Sequence, residues 1–514
     1  MTRNEGLEAL EVEARGALAS KLERLRAFMC AGLLERETPA KLLLLAAVSG
    51  EHVLLVGPPG TAKSELARRL RGCIAEATYF ERLLTKFSVP EELFGPLSIK
   101  SLEHDEYRRI TAGYLPTATI AFLDEIYNAN SAILNALLTL LNEREFDNGA
   151  ERVATPLVSV VGASNVVPEG SELAALHDRF LFRCSVEPVS SASFRSLLAA
   201  PESRPPPEPD TRLRAAELSD IRRSADEVIL PPSVRGLLDT LRQGLVEKEV
   251  YVSDRRWRKI ASVMRVAAYC QGRREVGLID CLLLRHCLWT RPEQERLVRD
   301  LIEATIDAVL VDEPARYASM ARAFESELDK ERGRVEQQCN EGGEPLFYDE
   351  QGAVVSDPYA RARVRDLRGD LLYKPPPGMV ARPGRRAFTL PELWEEHFQN
   401  LPDGVSRLEA FSNNPLNEYT TTDLRKPVKA PMRYSTEHVR ARQKQIEDLV
   451  AEVRAFAQGI GTVRNGGGPS LWLADDARSA ALARVDEAIG ALGEVERRFE
   501  TLLDAARALP RRDA

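Results

Sequence analysis

At 514 residues the chain exceeds what one hydrophobic core serves, since single cores stop growing at about 250 to 300 residues, so several domains are expected. Hydrophobic residues at 44% and charged residues at 29% exclude a largely disordered chain. A formal charge of -8 and a pI of 5.6 exclude a global electrostatic pull toward nucleic acid, whose non-specific binding rests on neutralising phosphates.

The chain starts acidic, without the apolar stretch of a signal peptide, and its longest early apolar run, Leu42 to Val48, is too short for a membrane span. The cytoplasm is therefore the expected compartment, and seven scattered cysteines without a Cys-x-x-Cys pair fit reduced thiols there. Residues 7 to 34 repeat apolar positions at helical spacing (Leu10, Leu18, Leu22, Leu25, Phe28), and Pro39 to Val48 reads as a second helix. From there to about Glu187, the runs Val53 to Val56, Ile120 to Leu123 and Leu157 to Val161 alternate with helical stretches. That alternation predicts a parallel sheet covered by helices.

The Pro-rich run Pro201 to Asp210 marks a linker, and about 212 to 300 reads as helical throughout, a small lid domain. A further stripe, Tyr317, Met320, Phe324 and Leu328, precedes a Pro/Gly-rich segment from about 341 to 433. Two more stripes follow: Ile446, Leu449, Val450, Val453 and Phe456, then Leu482, Val485, Ile489, Leu492, Val495, Phe499 and Leu502. Spacings of three and four, with a Gly466-Gly467-Gly468-Pro469 loop between the last two, predict a three-helix bundle into which another module is inserted. An intermolecular coiled coil is the weaker alternative, because a partner helix already lies next door in sequence.

Chemistry concentrates in the first third. Gly57-Pro58-Pro59-Gly60-Thr61-Ala62-Lys63-Ser64 follows a predicted strand and opens a helix. A phosphate-binding loop needs small residues so that backbone N–H groups converge on phosphate oxygens at a helix N-terminus. Lys63 would reach the β- and γ-phosphates and Ser64 would ligate Mg²⁺. The position just before the lysine, where the motif usually has its second glycine, is Ala62. Sixty residues on, Ile120 to Leu123 ends in Asp124-Glu125: Asp124 to hold Mg²⁺, Glu125 to deprotonate the attacking water. Leu157 to Val161 runs into Gly162-Ala163-Ser164-Asn165, where the Asn165 carboxamide can hold water against the γ-phosphate, the task called sensor 1. Arg179, in Leu176-His177-Asp178-Arg179-Phe180, is the candidate arginine donated across a subunit boundary to stabilise transferring charge, with Arg183 in reserve. The six histidines show no metal-ligand spacing.

That order of motifs resembles the MoxR family of AAA+ ATPases over roughly residues 8 to 300. The resemblance implies ATP and Mg²⁺, a hexameric ring and a chaperone-like role in remodelling or maturing partner complexes. It also places an insertion at Val89 to Pro116, ahead of the acidic strand, and a sensor 2 at Ser253-Asp254-Arg255-Arg256. Arg255 would then reach the phosphates of its own subunit, with Arg256 as the neighbouring alternative. The layout of the last third resembles the RavA-type subgroup, which implies a von Willebrand A-domain partner and a client enzyme bound by the insert; specific nucleic acid is not expected. The expected domains are 1–200 (α/β ATPase core), 211–305 (helical lid), 306–340 with 434–510 (discontinuous three-helix bundle) and 341–433 (an inserted, small, β-containing, partner-binding module). A nucleotide-controlled assembly scaffold with little turnover is the alternative, disfavoured by the intact Glu125, Asn165 and Arg179.

Overall fold

The computed structural model describes residues 3–167, 171–199, 207–380, 384–461 and 470–512. The first six residues of the expected linker, Pro201 to Pro206, and the Gly466 to Pro469 loop lie outside the described residues. The chain divides into two units, Met1–Ser319 with Val450–Arg497, and Met320–Leu449 with Arg498–Ala514.

The first unit opens with α1 (Arg3–Cys30), α2 (Glu37–Ser49), β1 (Val53–Val56), α3 (Lys63–Gly72) and β2 (Tyr79–Leu83). Two short helices follow, α4 (Pro90–Phe94) and α5 (Ile99–Leu102), then β3 (Ile120–Asp124) and α6 (Ser131–Glu143). A hairpin of β4 (Glu145–Asn148) and β5 (Glu151–Ala154) leads to β6 (Ser159–Ser164), α7 (Ser171–Arg179), β7 (Phe182–Ser185) and α8 (Phe194–Ala199). Strands β2, β3, β6, β1 and β7 lie in that order in one all-parallel sheet. All four residues of β1 and all six of β6 are buried, as strands covered on both faces must be. Sequence periodicity ends the third strand at Val161, whereas β6 continues to Ser164 because its ladder with β1 runs on to the Val56↔Ser164 pair. Gly162 permits this: a Cβ there would stand 2.9 Å from the Phe180 ring.

The lid consists of α9 (Ala215–Ala225), α10 (Pro232–Glu247), α11 (Asp254–Cys270) and a 3₁₀ run from Leu278 to His286. In α10, Pro232 sits in the first turn, where its missing N–H costs nothing, and Val234, Leu237, Leu241 and Leu245 form the buried stripe. Ser253 caps α11 by accepting from the Arg256 N–H at 3.2 Å. Helix α12 (Gln294–Gly333) then runs for 40 residues through Pro314, so the expected lid boundary at 305 falls inside one helix. No helix among the described residues is long and apolar enough to cross a membrane.

Arg256 is among the side chains that fasten lid to core. Arg256, 2% exposed, donates to the carbonyls of Phe180 (2.9 Å), Leu181 (2.9 Å) and Cys287 (2.7 Å) and pairs with the Asp178 carboxylate at 3.3 Å. A buried cation is tolerable only when so paired.

The second unit contains β8 (Val335–Gln337), β9 (Phe347–Tyr348), β10 (Val354–Val355), β11 (Tyr359–Arg363), α13 (Leu390–Glu396), α14 (Gly404–Ser412), β12 (Thr420–Leu424), β13 (Lys426–Pro427) and β14 (Lys429–Pro431). Its small core is Tyr373, Phe388, Leu393 and Phe398, with Trp394 and Phe411 packed against it. Strand β14 pairs antiparallel with β8, Pro431 opposite Val335, so the segment leaves and returns at one place. Two long helices complete the chain, α15 (Thr436–Gly461) and α16 (Asp475–Arg507). Within the second unit Arg442 of α15 pairs with Glu327 (2.9 Å) and the buried Glu331 (3.0 Å) of α12, and Arg498 of α16 with Glu325 (2.7 Å).

Arg256→Ala removes the donors to four carbonyls, those of Asp178, Phe180, Leu181 and Cys287, and should destabilise the first unit by about 3 to 5 kcal/mol. The check is the urea midpoint of its unfolding transition, which a surface control such as Arg223→Ala should leave in place.

Candidate functional site

The parallel ladder sends β1, β3 and β6 out of the sheet at one edge, and each exit carries part of the predicted site. Open parallel sheets bind ligands at such carboxyl edges. Out of β1 comes the loop 57–62. Gly57 donates its N–H to Ser164 O at 3.0 Å, and a Cβ at Gly57 would lie 2.2 Å from Val186 O, a distance no side chain tolerates. Thr61 Oγ1 donates to Pro58 O at 3.0 Å and tightens the turn. Ala62 stands at φ 63°, in the left-handed region, which explains why glycine is usual there and shows that alanine is held in it under strain. Helix α3 begins at Lys63, with Ser64 in its first turn.

The Lys63 ammonium donates to Gly57 O (2.6 Å) and Pro58 O (2.8 Å). Burial lowers its pKa, opposed by the charges of Asp124 and Glu125, which places all three groups in one field. Asp124 ends β3, and its Oδ1 accepts from the Glu125 N–H at 3.1 Å. Glu125 is itself left-handed, φ 50°, which turns its carboxylate out of the strand direction. Asn165, the first residue beyond β6, donates from Nδ2 to Glu125 Oε1 at 2.6 Å. The loop, Lys63, Asp124, Glu125 and Asn165 thus form one cluster, as the sequence predicts.

The arginines lie elsewhere. Helices α6 and α7 run back from the carboxyl edge, so Asn142 and Arg179, near their ends, stand at the amino edge of the sheet, beside the turn before β1: His52 bonds Leu141 O at 3.2 Å and accepts the Val160 N–H at 3.0 Å. Arg255 donates to Asn142 Oδ1 at 2.6 Å. Arg179 pairs with Asp178 at 3.5 Å, and burial first, then the nearby positive charge of Arg255, lowers its pKa. Arg255 and Arg179 are therefore neighbours at that edge. Arg255 thus bonds Asn142 here, whereas its expected place is at the phosphates of its own subunit. Arg256 is committed to the carbonyls described above, and Arg183 is equally committed: 1% exposed, it donates to Trp289 O and His177 O. Neither can reach outward. The buried His177 contacts the Tyr127 hydroxyl, and burial, with Arg183 and Arg256 behind it, pushes its pKa down to about 2, so it stays neutral.

Sequence reasoning missed Arg36. Lying between α1 and α2 and 5% exposed, it donates to Thr61 O (3.0 Å) and Glu187 O (2.6 Å), bracing the loop from below. Nothing in the Glu35-Arg36 dipeptide announces this; only the tertiary approach of Thr61 does.

Two family models match the first unit. A family model described as "MoxR domain in the MoxR-vWA-beta-propeller ternary systems" matches residues 20–223, and one described as "AAA lid domain" matches 233–302. Two uncharacterized proteins of Methanocaldococcus jannaschii are similar: MJ0079, 42% identical over 52% of this chain and 70% of its own length, and MJ0812, 38% identical over 53% and 72%. A structural protein, ORF618, of Acidianus two-tailed virus is 30% identical over 32% of this chain and 28% of its own.

Ala62→Gly should relieve the left-handed strain and, after the extra chain entropy of glycine, raise stability by about 0.5 to 1 kcal/mol. Gly57→Ala should lower it, since Val186 must move. Thermal unfolding of the two variants beside the parent separates these opposite signs.

Proposed function

We propose that the carboxyl-edge cluster hydrolyses ATP, and the premise is membership: the chain belongs to the MoxR family of AAA+ ATPases. The observation that carries the proposal is the Asn165–Glu125 contact beside Lys63 at the end of the phosphate loop. Gly60, Thr61, Ala62 and the first turn of α3 offer backbone N–H groups, Pro58 and Pro59 having none, and Lys63 adds the cation that phosphates require. Ser64 and Asp124 are the proposed Mg²⁺ ligands; one carboxylate and one hydroxyl suit an ion that keeps most of its shell as water and phosphate oxygens. Bound there, the ion would neutralise phosphate charge. Glu125 takes the proton of the attacking water, and Asn165 orients both.

Arg179 and Arg255, at the far edge, are proposed to act on the phosphates of a neighbouring subunit. Their separation from Lys63 supports this reading, because neither can serve its own loop without crossing the sheet. The site is then complete only in a ring, proposed to be a hexamer of a RavA-like MoxR protein with a chaperone-like role in remodelling or maturing partner complexes. A von Willebrand A-domain protein is the proposed partner, in keeping with the systems named for the matching family. The domain limits expected from sequence stand as proposals too, with 341–433 as the module that binds a client enzyme.

Glu125→Gln keeps the shape and loses the base, so turnover should fall by about 10² or more while ATP binding persists; Lys63→Ala should lose binding itself. Arg179→Ala subunits should bind ATP and fail to hydrolyse it, and mixing them with Lys63→Ala subunits should restore activity at boundaries pairing an intact loop with an intact Arg179. Mixed rings no more active than either parent, with subunit exchange verified, would refute the shared site.

Strands β8 and β14 show that the insert leaves and returns at one place, so replacing 345–432, β14 included, with a short Gly/Ser linker should preserve ATPase activity and lose a co-purifying protein. Turnover and native co-purification are measured together; lost turnover in a folded chain counts against a separable module.

A further inference from the structure

Beside the phosphate loop, within the first unit, lies a cavity of about 370 Å³, near the lower limit of pockets that enclose small molecules. Two of its lining residues touch the loop directly. Arg36 bonds Thr61 O, and Val186 O closes against Gly57. Its far wall comes from more than 400 residues away: Trp472, Leu473 and the start of α16.

That wall is fastened on two sides. Lys41 of α2, fully buried, donates to Leu473 O at 2.6 Å, and the Trp472 indole N–H donates to Ala267 O of α11 at 3.1 Å. Ser470 Oγ accepts the N–H groups of Trp472 (3.2 Å) and Leu473 (2.9 Å) and fixes the turn between them. Residues 470–473 are all buried. Buried polar bonds to both core and lid show a strap built into the fold.

The chemistry of the lining selects the occupant. Glu35, Glu187, Glu295 and Asp476 outnumber Arg36 and Arg285, so the cavity repels phosphate and accepts a neutral group rich in donors. His286 adds no charge, because burial pushes its pKa down to about 3. Trp472, Leu473 and Val186 supply apolar surface for a flat ring, and the carboxylates can accept from an exocyclic amine and ribose hydroxyls.

We propose that this cavity receives the base and ribose of the nucleotide whose phosphates the 57–64 loop holds, and that residues 470–477 are a specificity element of that site. The proposal rests on the ATPase reading and adds to it that the C-terminal strap, although remote in sequence, forms part of the nucleotide pocket.

The test is calorimetric titration of the full chain with ATP and, separately, with inorganic tripolyphosphate, which lacks base and ribose. Trp472→Ala removes apolar wall, and Ala477→Trp, at a half-exposed position, fills the cavity without disturbing the buried strap. Each should weaken ATP by about tenfold or more, the effect of losing a base–aromatic contact, and leave tripolyphosphate within about twofold of the parent. Folded variants that bind ATP as the parent does overturn the proposal, as does an equal loss for both ligands. Should Trp472→Ala fail to fold, Ala477→Trp decides alone. Failure of the ATPase reading looks different: there Lys63→Ala leaves ATP binding intact.

Discussion

The structure depends on the in-register parallel pairing of β3, β6 and β1. The pair Leu123↔Gly162 brings the end of β3 level with the middle of β6, and Val56↔Ser164 brings the end of β1 level with the end of β6. Side chains alternate with period two, so a slip of one residue would turn Asp124 to the other face and lift Asn165 away from Glu125. Gly162 is part of the same constraint, because only a residue without a Cβ lets Phe180 lie across the centre of β6. Packing of the core and placement of the site are therefore one requirement.

Desolvated guanidinium groups form a second layer of organisation. Arg36, Arg183 and Arg256 are each nearly inaccessible, and each spends its donors on main-chain carbonyls. Those carbonyls lie where strands or loops end and have no ladder partner, so the arginines satisfy acceptors that would otherwise be buried unpaired. The arrangement ties loop to sheet at Arg36, sheet to lid at Arg183 and Arg256. Burial depresses the pKa of all three, a sign of how much hydration each has surrendered.

The site was legible where chemistry is local. The loop 57–64, Asp124-Glu125 and Asn165 each follow an apolar run whose length alone predicts a strand, and the strands then place them together. Fold class was legible for the same reason, since alternating apolar runs and helical stripes leave few layer arrangements. Arg36 was not legible, because a charged residue between two helices has no pattern to betray burial. Nor was the location of Arg255: a helix that starts Ser253-Asp254-Arg255-Arg256 gives the spacing of its side chains but not the edge of the sheet it meets. Strand β6 outran its apolar run because glycine and serine pair as well as valine does when both neighbours are already in place.

The hydrogen bond between Asn165 and Glu125 joins the turns that follow β6 and β3 beyond their ladder. A bond to a charged group is worth about 1.5 to 3 kcal/mol, and a carboxylate that accepts one N–H keeps lone pairs for further donors. At that strength the joined arrangement outweighs the open one by roughly ten- to a hundredfold. Because Asn165 is the first residue beyond β6, a displacement of that strand's end is passed to Glu125 through this contact. The two turns are thus held as one piece past the Leu123↔Gly162 pair at which their ladder stops.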